Sequence, residues 1–132
     1  MLATHGLVDA LRTECAASAV AVQITADDIA RSVPDVETAV YLCCLEAVQN
    51  ASKHAGRDAS VKIDLRREGN ELAFIVHDTG NGFDPAAANG RGPGLASSHA
   101  RIHAAGGQVN IVSAPGSGTT VTGVAPWPPR RA

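Results

Sequence analysis

Val61, Ile63 and Leu65 alternate with polar residues, and after Glu68-Gly69-Asn70 the alternation resumes with Leu72, Phe74 and Val76. A period of two on both sides of a short turn predicts an antiparallel hairpin with one apolar face. Such a face needs a second layer across it, which confines the chain to layered architectures. The cover is written just upstream. Ser32 suits a helix N-cap, Pro34 a first-turn position, and Asp35 and Glu37 the positive end of the dipole. The predicted helix runs from there to about His54. Val36, Val40, Cys44, Ala47 and Ala51 fall on one of its faces and are expected to pack on the sheet.

The remaining elements follow closely. Leu7, Leu11 and Cys15 recur at i, i+4 and i+8, predicting an amphipathic helix over 6–17. Val20 to Ile24 reads as a strand. Residues 79–93, rich in Gly, Pro, Ala and Asn without a period, read as a loop. A shorter helix is predicted over 95–105, stopped by Gly106-Gly107. Val109 with Ile111, and Val121 with Val124, mark two more strands around Pro115-Gly116-Ser117-Gly118. The terminal WPPRRA is expected to fray without extending the sheet. The order predicts an α/β (α+β) two-layer sandwich. The expected division is a linker remnant over 1–5, one domain over 6–126 and a disordered tail over 127–132.

Composition narrows the function classes. A net charge of -2 and 18% charged residues leave no basic surface for nucleic acid, and 3% aromatics leave few bases a platform to stack on. The longest apolar stretch, 39–48, is interrupted by Glu46 and is too short to span a bilayer, so no direct membrane contact is expected. Residues 1–10 lack a secretory pattern. Cys15, Cys43 and Cys44 fit neither a disulfide framework nor a metal-ligand spacing and read as small buried residues of a reducing, cytoplasmic setting.

Four segments can carry chemistry. On the long helix, Glu46, Asn50, Lys53 and His54 lie within a wedge of roughly 100° beside the core face. A carboxylate there can take a proton, an amide oxygen can ligate a hard cation such as Mg²⁺, and the cations can offset phosphate charge. Taken alone, the stripe reads more simply as a solvated helix face. Asp78-Thr79-Gly80-Asn81-Gly82 follows an apolar strand; its carboxylate can accept from an exocyclic amine such as that of adenine, but an ordinary turn would look the same. Gly90-Arg91-Gly92-Pro93-Gly94-Leu95 leads into a helix, where backbone N–H groups can cradle phosphate. It lacks the Gly-Lys-Ser/Thr of a Walker P-loop and the acid of a dinucleotide fold. Gly116-Ser117-Gly118-Thr119 offers a hydroxyl at a hairpin.

In this order and spacing, the four segments resemble the plan of the GHKL (Bergerat-fold) ATPases. In particular they resemble the catalytic domain of sensor histidine kinases of the NarL-partner type. ETAVYLCCLEAVQNASKHA (37–55) resembles the N box, HDTGNGFDP (77–85) the G1 box, and GRGPGLASSHARIHAAGG (90–107) with SAPGSGTTV (113–121) the G2 region and its closing hairpin. The resemblance implies a mixed, mostly antiparallel sheet on about three helices, ATP as substrate and Mg²⁺ as its counterion. It implies that Glu46 activates or orients the attacking group and that Asn50 ligates Mg²⁺. Lys53 and His54 would approach the phosphates, and Asp78 would read the adenine amine within a pocket shaped by Gly80 and Gly82. Gly92, Gly94 and Leu95 would line the phosphate side and anchor the lid, and Thr119 would sit near the base.

The implied partners are dimerisation and phosphoacceptor helices, which have no counterpart in these 132 residues, and a downstream response regulator; the domain alone is expected to be monomeric. His5 lacks the acidic neighbour and helical setting of a phosphoacceptor. Pro93 removes one N–H from the phosphate segment, Ser98-His99-Ala100 stands where Met-Arg-Glu is usual, and the lid over 83–93 is short. Two rivals share the plan, namely a stand-alone anti-sigma-factor serine kinase and a degenerate docking module. Lys53-His54 and the lead-in GLVDAL (6–11) favour the histidine kinase over the first; retention of Glu46, Asn50 and Asp78 disfavours the second.

Overall fold

A computed structural model describes residues 2–18, 20–26, 29–54, 59–79, 93–113 and 118–128. In chain order the elements are α1 (Leu2–Cys15), β1 (Ala21–Ala26), α2 (Pro34–His54), β2 (Ser60–Glu68), β3 (Glu71–Asp78), α3 (Pro93–Ala104), β4 (Gln108–Ser113) and β5 (Thr119–Pro126). The strands form one sheet in the order β1-β2-β3-β5-β4. β1 runs parallel to β2, and every other pairing is antiparallel. This is the mixed, mostly antiparallel two-layer sandwich expected from the sequence.

The hairpin forms in the predicted phase. Val61, Ile63, Leu65, Leu72, Phe74 and Val76 are all buried on one face. Its turn is tighter than expected, since Glu68 pairs with Glu71 and leaves only Gly69 and Asn70 between the strands. α2 packs on β2, β3 and β5 and also touches α1 and α3. Its buried face comprises the five expected residues together with Ala39, Cys43 and Val48. The opposite sheet face carries Lys62, Ile75, Thr122 and Val112, all exposed. Val124 lies on that face too, out of phase with Val121, while Gly123 and Ala125 point inward. The three thiols are buried, and none is in a disulfide. Burial pushes Cys44 well above the ordinary thiol range and raises Cys15, which makes them inert packing groups.

The backbone ahead of Gly6 is helical, and a kink at Gly6 (φ 86°, ψ 178°) separates it from the amphipathic stretch that buries Leu7 and Leu11. Two expectations, about a cap and about the C-terminal end, are corrected. The Ncap position of α2 falls one residue later than expected, at Val33, whose carbonyl accepts the first helical bond from Glu37 N–H, and the Ser32 Oγ donates to the Pro128 carbonyl at 2.5 Å. Trp127, assigned to a fraying tail, is fully buried. Its backbone N–H donates to Asn70 O and its indole Nε1 to Ala30 O, both at 2.8 Å. The segment thus adds a rung beside the hairpin turn, because the indole needs a dry site with an acceptor for its N–H.

Candidate functional site

β3 and β5 bring two of the predicted site residues together. Their antiparallel register sets Asp78 directly opposite Thr119, 41 residues apart in sequence, and both are buried. The alternation that buries Leu72, Phe74 and Val76 also turns Asp78 inward, to the same side as the core. A carboxylate is thereby held at the rim of an apolar layer, a place where it must be partnered. β2 and β3 are pinned just beyond it: Thr79 N–H donates to Ser60 O and Ser60 N–H to Thr79 Oγ1, both at 3.0 Å. Across the sheet, the Ser113 and Thr119 hydroxyls lie 2.8 Å apart, and Ser113 Oγ also donates to Gly118 O at 3.1 Å. These bonds fix the Thr119 side chain against β4.

Gly118 is a residue whose role the sequence did not assign. It adopts φ +75°, and a Cβ there would drive into the carbonyl oxygen of Asp78. Only glycine lets the start of β5 come this close to the end of β3. The signal was available in the Gly-Ser-Gly-Thr hairpin, but the close approach depends on a strand pairing that the motif does not specify.

Glu46 and Asn50 lie on α2, both partly buried, next to the buried Ala47 and Ala51. Glu46 Oε1 accepts from Arg101 Nη1 of α3 at 3.4 Å, a partner that no sequence pattern foretold. Lys53 and His54 occupy the last turn of α2; their side chains lie outside the described residues. Gly80, Gly82 and Gly92 also lie outside the described residues. Gly94 and Leu95 fall in the first turn of α3, which begins at Pro93, two residues earlier than expected. Proline at the first helical position gives up an N–H that has no intrahelical acceptor in any case, so the helix start keeps the amides of Gly94 and Leu95. α3 ends as predicted: Gly106 (φ +91°) donates to His103 O at 2.9 Å and Gly107 to Ile102 O at 2.8 Å, the paired bonds of a Schellman stop.

Among the described residues no cluster of three or more His, Cys, Asp or Glu side chains could hold a metal ion. Asn50, partly buried on α2, offers a single hard oxygen donor, which suits a cation that takes most of its ligands from elsewhere. No helix among the described residues is long and apolar enough to cross a membrane.

Comparison with known proteins agrees with this geometry. Residues 35–129 match the family described as histidine kinase-, DNA gyrase B- and HSP90-like ATPases. The chain is 35% identical, over 92% of its length, to an uncharacterized sensor-like histidine kinase of Chloroflexus aurantiacus. It is 30% identical, over 65% of its length, to the signal transduction histidine-protein kinase/phosphatase DegS of Brevibacillus brevis. It spans only 22% of either relative. Among solved structures, the histidine kinase domain of the Erythrobacter litoralis EL346 blue-light activated kinase superimposes with a TM-score of 0.71 at 22% identity, covering 90% of this chain and 57% of that one. The nucleotide-free catalytic domain of histidine kinase ThkA does so with a TM-score of 0.69 at 15% identity, covering 94% and 90%; at these identities the likeness establishes the fold. On its motifs, its fold and the match over residues 35–129, the chain belongs to the histidine kinase-, DNA gyrase B- and HSP90-like ATPase family, as an ATP-binding domain of the sensor histidine kinase kind.

Proposed function

We propose that this domain transfers the γ-phosphoryl group of Mg·ATP to a histidine on a separate pair of dimerisation and phosphoacceptor helices, in a kinase of the NarL-partner type that then serves a response regulator. The observation that carries the proposal is the buried Asp78 facing Thr119 at one end of the sheet. A buried carboxylate beside a fixed hydroxyl is a selective acceptor for the amino group of adenine, because a base that presented an acceptor there instead would meet it lone pair to lone pair. In this reading Gly80 and Gly82 shape the base pocket. The start of α3, with Gly92, Gly94 and Leu95, flanks the phosphates; Asn50 ligates Mg²⁺, and Lys53 and His54 offset charge.

The imidazole nitrogen of the acceptor attacks the γ-phosphorus while the bond to the bridging oxygen breaks and ADP leaves with the electron pair. Glu46 orients the imidazole and takes the proton it releases. Little covalent chemistry is asked of the protein, so positioning and charge neutralisation supply most of the rate.

Two measurements on the chain test this. Calorimetry should detect ATP binding that strengthens with Mg²⁺. With γ-labelled ATP, the chain alone should gain no acid-labile label, and a separate polypeptide carrying the acceptor helices should become labelled when added to it. Acid-labile label on this chain that disappears in His5→Ala would overturn the division of labour. Acid-stable label on an added protein serine would favour the serine kinase rival, and no nucleotide binding would leave the docking module.

A further inference from the structure

The ion pair between α2 and α3 joins a residue already assigned to the chemistry with one assigned to nothing. Arg101 Nη1 donates to Glu46 Oε1 at 3.4 Å, with side-chain exposures of 44% and 22%. Seven residues separate Gly94 from Arg101, about 10 Å along the helix at the usual rise. The guanidinium is therefore set well back from the helix start that flanks the phosphates. It lies instead beside the middle of α2.

Both ends of the pair stand on rigid supports. Ile102, next to Arg101, is fully buried. α3 ends three residues past Arg101, at Ala104, and Gly107 beyond it sits so close to Val124, Ala125 and Ile102 that a Cβ would collide with all three. On α2, Ala47 and Cys43 are buried on either side of Glu46. The carboxylate itself keeps part of its surface open, as a group that meets an acceptor arriving from outside must. A glutamate partly open to solvent still has several rotamers of similar energy, and a charge-assisted bond from a fixed neighbour selects among them.

We propose that Arg101 is a positioning residue for phosphoryl transfer: from α3 it holds the Glu46 carboxylate where an incoming acceptor imidazole meets it. The inference rests on the reading of Glu46 as the group that receives the acceptor. It also makes the placement of Glu46 depend on α3, the helix that starts at the phosphate side. A well-seated α3 and a well-aimed carboxylate then occur together. A half-exposed pair adds little to global stability, so its loss should register in the rate and not in the fold.

The test uses the 132-residue chain with acceptor helices supplied in trans. Arg101→Ala should lower kcat for transfer by roughly 10- to 100-fold, the usual cost of a small misplacement of a reacting group. KM for ATP and the melting temperature should stay near the parent values. Arg101→Lys, which keeps a donor but not the planar fork, should recover part of kcat. In a Glu46→Gln background, Arg101→Ala should cost nothing more. Parental kcat in Arg101→Ala, a loss that adds to that of Glu46→Gln, or a raised KM for ATP at parental kcat would each overturn the assignment of Arg101. If instead Glu46→Gln alone transfers at the parental rate, the reading of Glu46 is what fails.

Discussion

At the rim of the sheet, the proposed adenine contact turns on a few atoms around Asp78. Its carboxylate is buried opposite Thr119, and the chain reaches that arrangement only because position 118 has no side chain to strike the Asp78 carbonyl. Asp78→Asn keeps the shape but replaces one acceptor oxygen by an NH₂, which would face the adenine amine donor to donor. ATP affinity should fall by about 2 kcal/mol or more, at least thirtyfold, with the urea midpoint little changed; unchanged affinity by calorimetry would remove Asp78 from the site. Gly118→Ala is expected to act on both properties, lowering stability by about 1–3 kcal/mol through the positive φ and the collision and weakening ATP binding as β5 is pushed from β3. Denaturation and calorimetry on the same sample separate the two losses. Asp78 was legible in the sequence because a carboxylate at a strand end before two glycines is a local pattern. Gly118 was not, since its constraint comes from a carbonyl 40 residues away.

The clearest lesson of the elements is at the start of α2. Glu37 lies in the first turn of α2, as the dipole argument expects. It is also buried, accepting from Arg31 Nε at 2.9 Å and Nη2 at 3.1 Å and from the Ser32 backbone N–H at 3.1 Å. Its hydrogen bond raises the Arg31 guanidinium further above its already high range. The carboxylate thus closes the loop that delivers the chain from β1 into α2, the helix that carries Glu46 and Asn50. Glu37→Ala would leave a buried amide unsatisfied and a void beside it, costing about 2–3 kcal/mol. Glu37→Gln should recover part of that loss, because the amide can still accept. Urea midpoints for the two variants check the order. The apolar face of α2 was readable from its period, whereas the partner of a buried charge is chosen by whatever the fold brings beside it.

Across the whole molecule, the C-terminal segment acts as a clasp. Trp127 fills the core edge and bonds both to the hairpin turn at Asn70 and to Ala30 in the β1–α2 connection, while Pro128 O receives Ser32 Oγ. Three chain regions distant in sequence meet there, at the end of the sheet away from Asp78. Trp127→Ala should cost about 3–5 kcal/mol. A chain ended at residue 126 should lose at least as much and show a clear drop in melting temperature. A truncation without effect would mean that the clasp contributes nothing to the fold. An indole followed by two prolines resembled a fraying tail because neither an isolated aromatic nor a proline pair carries a period.

The sequence by itself determined the kinds and order of the elements, the buried faces of the hairpin and of α2, and the family. Those properties rest on local periodicity and on short motifs whose chemistry is fixed by residue type and spacing. Only the tertiary structure decided which strand lies beside which, and with it the meeting of Asp78 with Thr119 over Gly118. It also decided the burial of Glu37 and Trp127 and the bond from Arg101 to Glu46. Each of these depends on side chains between 6 and 97 residues apart, or on a strand register, and contacts of that kind are fixed by how the layers pack and not by the pattern within any one segment.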